Sequence, residues 1–464
     1  MNKVERFLNS KYYIALIFGI TFIAWLFYKE TPPLSFNLYN MIGIFFFAVA
    51  LFVVLAFFEN TLYAAPLLLP FLFIINKRNM DFSTAVTEWW IYIALFLVIA
   101  GPIVHYLRFR PTIKKGHFTL GLTLIAISYL LSTIQIPFLI NAIPVSILGL
   151  LYLFFYLYLT ASTKGRISYI FYIFLFLNFL FIAQLGVYIY RGFLLNPDLP
   201  LAQRLLAGWG RNLGWANVND MCFYIALTLP ANLYFIMKNA KRNWPLWFVM
   251  ILGMIVVLLS QSRGGIMSFS LSVIGMAILI GTKGRRRVVI QMLIALALVT
   301  TLFLGFKDVF SNWFDEFMRT TQGSLNEFTT NRLKIYETGL EIFFQKPIFG
   351  GGWLSLDNVY PNNRLFMYHS TIIQALAAMG LMGLVALIVH YIEVIKFFFK
   401  RITFEKWLFM IGYLASQIHG LIDNVQYAVP YSVIMIVVFS IWEKAPIETE
   451  FYLINQRYYH GTIN

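Results

Sequence analysis

Residues 244–280 read WPLWFVMILGMIVVLLSQSRGGIMSFSLSVIGMAILI. Two apolar runs, Trp244–Leu259 and Ile266–Ile280, flank Ser260-Gln261-Ser262-Arg263-Gly264-Gly265. Each run, with its flanking residues, approaches the ~20 residues that cross a bilayer as a helix. The stretch therefore reads as a membrane hairpin with a permanently charged guanidinium at its turn. Such a charge is costly at that place and marks a functional site by default. Gly264 and Gly265 would let backbone come close to a ligand, and a helix starting there points unpaired N–H groups at an anion, which suits a phosphate. The alternative is an arginine that reaches the headgroups at a tight hairpin.

The rest of the chain agrees with the hairpin. Of its 464 residues, 60% are hydrophobic, 18% aromatic and only 12% charged, with a mean hydropathy of +0.74. No soluble core of this length needs so much apolar surface, so the composition implies an all-α polytopic membrane protein. The formal charge of +15 is read loop by loop, because cytoplasmic loops collect Lys and Arg, and it gives no indication of a nucleic-acid partner. The single cysteine, Cys222, excludes an internal disulfide and a thiol metal cluster. Residues 12–28 are read as an uncleaved first span, since Lys29-Glu30-Thr31-Pro32-Pro33 follows without a small-residue cleavage site.

Apolar stretches recur at 12–28, 38–58, 61–75, 88–107, 118–136, 138–160, 167–189, 218–237, 244–261, 264–281, 287–305, 369–395, 404–421 and 428–442. The third is short and holds Pro66 and Pro70, which predicts a broken or re-entrant element and 12 to 14 transmembrane helices in all. Basic groups fall in every second loop from the fourth span onward: Arg108 to Lys115, Lys164 and Arg166, Lys238 to Arg242, Lys283 to Arg287, and Lys396 to Lys406. The positive-inside rule makes those loops cytoplasmic. Lys77 and Arg78 fit this less well, in a loop that counting puts outside. The segments 190–215 and 306–368 are then extracytoplasmic, and with no soluble domain visible in either, the chain 1–464 reads as a single transmembrane domain roofed by those loops. Within the second loop, Leu333, Tyr336, Leu340 and Phe343 repeat at helical spacing over 331–344, Pro347 stops the helix, and Gly350-Gly351-Gly352-Trp353 follows as a flexible turn.

With sidedness assigned, the histidines sort. His105, His117, His390 and His460 fall at cytoplasmic span ends or in the tail, leaving His369 and His419 at the outer side. His369 opens an inward-running span, at the positive end of its dipole, which favours the neutral ring a general base needs. The alternative role is an interfacial helix cap. His419 and Asp423, four residues apart, could meet on one helix face, but at the negative end of a span. Three inward-running spans present polar N-termini on this side: Asn217-Val218-Asn219-Asp220, Arg263-Gly264-Gly265 and His369-Ser370-Thr371. Together they could hold a diphosphate, although Asn, Asp, Ser and Thr are also ordinary N-caps. Outer basic residues are mostly arginine (Arg191, Arg204, Arg211, Arg263, Arg319, Arg332 and Arg364), the side chain that binds phosphate in bidentate fashion. No outer Asp-x-Asp, His-x-x-x-His or carboxylate cluster has metal spacing, and nucleotide-binding glycine patterns are absent, so no metal or cofactor is expected.

These motifs resemble those of the bacterial O-antigen ligase/O-antigen polymerase superfamily, membrane glycosyltransferases of lipid-linked glycans. The resemblance rests on Asn217-Val218-Asn219, Ser260 to Gly265, Asn331-Arg332, Pro347 to Gly352, His369 to Gln374 and Gly380-Leu381-Met382-Gly383, in the second half of the chain. The family usually has Asn where this chain has Ser370. The resemblance implies an inner-membrane enzyme that moves a glycan, on the extracytoplasmic face, from an undecaprenyl-diphosphate-linked oligosaccharide to a hydroxyl acceptor. It implies His369 as base, Arg263 and Arg211 on the diphosphate, Arg332 positioning donor or acceptor, and a flippase and chain-length regulator as further partners. Polymerisation of surface-polysaccharide repeat units is the preferred expectation, with ligation of a finished glycan onto lipid A-core or another acceptor as the alternative. A lipid-linked oligosaccharide flippase would predict charged mid-span residues and repeat symmetry, neither of which the sequence shows. Asn217, Asn219, Gly264 and Gly265 complete the expected binding set, with Arg191, His419 and Asp423 as weaker candidates.

Sidedness is directly testable. Cysteines placed at Ser311 and Lys283 should react with a membrane-impermeant reagent from outside and from inside, respectively. Reversed labelling would move Arg263 and His369 to the cytoplasmic face.

Overall fold

In the computed structural model of the chain, residues 3–27, 38–74, 89–135, 139–200, 203–204, 215–319, 332–353, 355–356, 367–400 and 402–445 are described. Regular structure among them is entirely helical. Each of the fourteen expected apolar stretches carries helix. Among the described residues, seven helices are long and apolar enough to cross a membrane: Trp89–Phe109, Val145–Ser162, Ile167–Leu194, Val218–Lys238, Arg263–Lys283, Arg286–Gly305 and Thr371–Phe399. Lys11–Leu26, Met41–Phe57, Thr61–Ile74, Thr119–Gln135 and Leu246–Leu259 are shorter apolar helices, while Phe404–His419 and Val429–Lys444 complete the bundle. The 61–74 element is broken, as its prolines predict: a 3-10 turn Thr61–Tyr63 is followed by Ala65–Leu68 and Pro70–Ile74. Lys77 and Arg78, the pair that fits the charge pattern less well, lie outside the described residues.

Val218–Thr228, Arg263–Lys283 and Phe404–His419 pack against one another at the centre. Val218–Lys238 is the most enclosed of the long helices, 89% of its apolar window being buried, whereas Arg286–Gly305 is only 6% buried and is left at the periphery. On the central helices the polar motifs and the basic residues occupy opposite ends. Arg263 begins and Lys283 ends one helix, and Asn217 and Lys238 bracket another.

One feature departs from a plain bundle. Inside Thr371–Phe399, Gly380 has φ 65° and ψ −154°, a backbone region essentially open only to glycine. The break strands carbonyls on one side and N–H groups on the other, which hydrocarbon does not tolerate. The segment after the Arg332–Gln345 helix repairs it. Gly351 N–H donates to the Ala377 carbonyl (2.7 Å) and Gly352 N–H to Ala378 (3.1 Å), while Leu381 and Met382 N–H donate to Pro347 and Ile348 (2.8 and 3.2 Å). Gly350-Gly351-Gly352-Trp353 is therefore not the flexible turn its glycines suggest. It is buried and held by backbone hydrogen bonds, its glycines allowing two backbones to touch. The Arg332–Gln345 helix, expected over 331–344, docks through Ile335 and Ile342 on Leu356, Tyr368, Ile373 and Ala377.

At Gly380 a Cβ would lie 2.5 Å from the Ile348 carbonyl oxygen. Gly380→Ala should therefore destabilise the protein by about 2 kcal/mol or more in a detergent thermal melt. Gly281→Ala is the control, because nothing lies within 4 Å of its added Cβ. Equal melts for the two variants would show that the helix break is not built on Gly380.

Candidate active site

The sequence supplies two of the three helix starts with a serine cap. Ser262 accepts from the Gly265 N–H at 3.1 Å, and Ser370 accepts from the Ile373 N–H at 3.5 Å. In both cases the preceding residue has positive φ, 56° at Gln261 and 49° at His369. Left-handed backbone at a non-glycine residue costs roughly 1 kcal/mol and persists only when its surroundings enforce it. His369 thus precedes the N-cap rather than opening the helix itself. Ser370 fills the cap, a task that Asn also performs well, so the departure from the usual family residue leaves the local geometry intact.

A second connection completes the geometry at His369. The turn after Phe404–His419 is buried over Asp423–Tyr427. It is tied to the His369 helix by a hydrogen bond from Thr371 N–H to the Gly420 carbonyl (2.8 Å). Asp423 Oδ1 lies 3.2 Å from His369 Nδ1 and also accepts from the Asn424 N–H at 2.9 Å. Asp423 Oδ2 lies 3.4 Å from Arg332 Nη2 and 4.0 Å from His419 Nε2. Arg332 Nη1 donates to the Ile422 carbonyl, and Tyr336, one turn along, donates its hydroxyl proton to the His369 carbonyl at 2.8 Å. Four elements thus meet on one carboxylate. Burial alone would raise the Asp423 carboxyl, but the hydrogen bond and charge of His369, with Arg332 and His419, outweigh it and hold the carboxyl well below the usual range.

His369 keeps 30% of its side chain exposed, whereas His419 is 1% exposed, between Phe223 and the Gly264 backbone. A molecule from outside can reach the first ring and not the second. The helix dipole was the sequence's argument at His369; the structure adds an anion bonded to its ring. Gly264 and Gly265 make close approaches as expected, but to His419 and Cys222: a Cβ at Gly264 would meet the His419 ring, and one at Gly265 would meet Cys222. Through Gly264, Arg263 is set beside the His419–Asp423 corner. Asn219 accepts from the Ser262 hydroxyl at 2.6 Å, joining two of the helix starts. The amide oxygen of Asn217 is engaged in a capping box with Asp220.

Other expected residues lie elsewhere. Arg191 donates to the Leu26 carbonyl (2.7 Å) and faces the Trp25 ring, so it closes the C-terminus of Lys11–Leu26. Arg204 stacks on Phe193. Arg211 lies outside the described residues, as does Arg364. Sequence reasoning did not single out Tyr336 as a partner of His369, nor the buried polar atoms without a protein partner at Trp353 Nε1, Gln374 Nε2 and the Asn424 amide. A polar Asp-Asn-Val-Gln-Tyr run between two spans was the available signal for Asn424. Among the described residues no group of three or more His, Cys, Asp and Glu is arranged to hold a metal ion.

The fold and site define a multi-pass helical membrane protein with a histidine–carboxylate–arginine cluster at the ends of its central helices. Residues 248–388 match the family model described as O-antigen ligase, a stretch that contains Arg263, Arg332 and His369 but ends before His419 and Asp423. That stretch, under a third of the chain, is similar to the O-antigen ligase/polymerase superfamily, and the similarity supports glycan transfer in general as the activity. No curated protein matches the chain.

Asp423→Asn should destabilise the protein by about 2 kcal/mol at pH 7, because it leaves the half-buried Arg332 without its counter-charge. A carboxyl whose folded pKa lies below its unfolded one contributes stability above the unfolded value and loses it as pH falls towards the folded one. The gap between wild type and variant should accordingly be full at pH 7 and narrow below about pH 4, read by thermal melts across pH. A gap that does not change with pH would deny the carboxylate this role.

Proposed function

We propose that the protein transfers a glycan from a polyprenyl-diphosphate-linked oligosaccharide, undecaprenyl diphosphate being the expected carrier, to a sugar hydroxyl on the extracytoplasmic face of the bacterial inner membrane. The observation that carries this reading is the exposed His369 ring bonded through Nδ1 to a buried carboxylate, at the end of the bundle where Arg263 begins its helix. With Nδ1 engaged by Asp423, Nε2 is the nitrogen that takes the acceptor's proton. The acceptor oxygen then forms its bond to the anomeric carbon, and the bond from that carbon to the diphosphate oxygen breaks with its electron pair on the leaving group. Asp423 orients the ring and stabilises the imidazolium formed, as a carboxylate does for a catalytic histidine elsewhere.

The departing diphosphate carries the charge that must be neutralised. Arg263, with Arg211 as its expected companion, supplies guanidinium forks for it, and the N-terminus of the Arg263 helix adds its dipole. Arg332 is already bonded to Asp423 and Ile422, so its part is to hold the site together. Polymerisation of repeat units is the preferred reaction. Ligation to a separate acceptor is the second reading, favoured by the description of the matched family. Lipid-linked repeat unit alone should yield a ladder of polymer if the first holds, and no product without added acceptor if the second does. The reading includes no metal ion.

His369→Ala should lower transfer by about a hundredfold or more while leaving donor binding near wild type, because a base acts on the chemical step. Arg263→Lys should also be severely impaired, since it keeps the charge and loses the fork. EDTA should leave wild-type turnover unchanged. Near-native turnover of His369→Ala would remove the proposed base, and normal transfer by Arg263→Lys would reduce Arg263 to an interfacial anchor.

A further inference from the structure

The opposite end of the bundle carries a second polar site. A cavity of about 420 Å³ opens between the connection ahead of Thr119–Ser132 and the C-terminal ends of Leu139–Ser162 and Val429–Lys444. Lys114, Lys115 and Lys444 line it from two separate elements, with His117 and Glu443. The lysines are exposed, but the floor is not. Thr160, only 3% exposed, is among the lining residues, and its enclosed hydroxyl has no protein partner. Glu443 is also buried, its side chain 5% exposed, and its Oε1 accepts from the His117 N–H at 2.6 Å and from the Tyr156 hydroxyl.

These groups have a definite charge logic. Glu443 is engaged by donors of the protein itself, so it is poorly placed to receive an ammonium from a ligand. Three lysines remain around the opening, with Thr160 beneath them. That set fits a phosphate ester without a compensating amine. The location favours a lipid over a free phosphate, because the cavity lies where three helices of the bundle end and has exposed Ile113 and Leu120 beside it, apolar side chains that can lie against acyl chains. Basic pockets between helices on the cytoplasmic side of a membrane have this character.

We propose that this cavity binds the headgroup of an anionic phospholipid such as phosphatidylglycerol, with Lys114, Lys115 and Lys444 around the phosphate and Thr160 beneath it. The site is separate from the His369 cluster. It lies at the basic end of the bundle, and its occupancy does not depend on the glycan-transfer reading.

Native mass spectrometry of the full chain released from nanodiscs of equal phosphatidylglycerol, phosphatidylethanolamine and phosphatidylcholine tests it. Wild type should retain phosphatidylglycerol preferentially. Each Lys→Gln substitution at 114, 115 or 444 should weaken retention about fivefold, the worth of one lysine near a membrane surface. Thr160→Val, which breaks no hydrogen bond within the protein, should lower retention without altering the thermal melt, and it keeps the test decisive if the lysine variants fold poorly. Unchanged phosphatidylglycerol retention in Thr160→Val and the lysine variants would overturn the site. Equal retention of phosphatidylethanolamine would overturn the anionic assignment. Displacement of the lipid by millimolar glycerol 3-phosphate would make it a site for soluble phosphate esters instead.

Discussion

The site depends on one buried carboxylate. Asp423 sits in a connection that a membrane protein would ordinarily leave at the surface, yet it is enclosed and meets His369, Arg332 and His419 at 3.2, 3.4 and 4.0 Å. Each partner comes from a different part of the chain, so the carboxylate is also the point at which three segments are fixed relative to one another. A buried anion of this kind is tolerated only with partners, and removal of any one would expose the rest to an unbalanced charge. The strained backbone at His369 is explained by the same demand. Its φ of 49° sets the residue just ahead of a capped helix, where its ring can meet Asp423 while its carbonyl accepts from Tyr336.

The second constraint is the hydrocarbon itself, in which no backbone polar group can go unpaired. The break at Gly380 obeys it by exchanging four hydrogen bonds with the segment 347–352. That exchange docks the end of the Arg332–Gln345 helix onto the broken span, and so brings Arg332 and Tyr336 to the histidine. Close backbone approach serves a similar purpose at Gly264 and Gly265, where the central helices touch at His419 and Cys222. Both glycines are required by this packing, and Arg263 gains its position from them.

The two ends of the bundle divide the chemistry. Arg263, Arg332 and His369 stand at one end, while the basic loops, with both lysine and arginine, gather at the other. The positive-inside pattern and the site are thus two sides of the same topology: helices that end in Lys or Arg begin with Asn217, Arg263 and Ser370.

The sequence by itself determined the elements. Apolar length located all fourteen helical stretches, Pro66 and Pro70 located the broken one, and the spacing of Leu333, Tyr336, Leu340 and Phe343 located the helix that carries Arg332. It also determined which residue types could do chemistry at one end, because a membrane makes His and Arg conspicuous by their cost. Only the tertiary structure decided how they combine. Hydropathy and spacing report local preferences, whereas His369 and Asp423 are 54 residues apart and Arg332 and Asp423 are 91 apart. Asp423 ranked low as a helical i, i+4 partner of His419 and became the centre of the site through packing between elements. Arg191 looked like its equals and closes a distant helix instead. No one-dimensional pattern carries such facts, because they arise from which helix faces which.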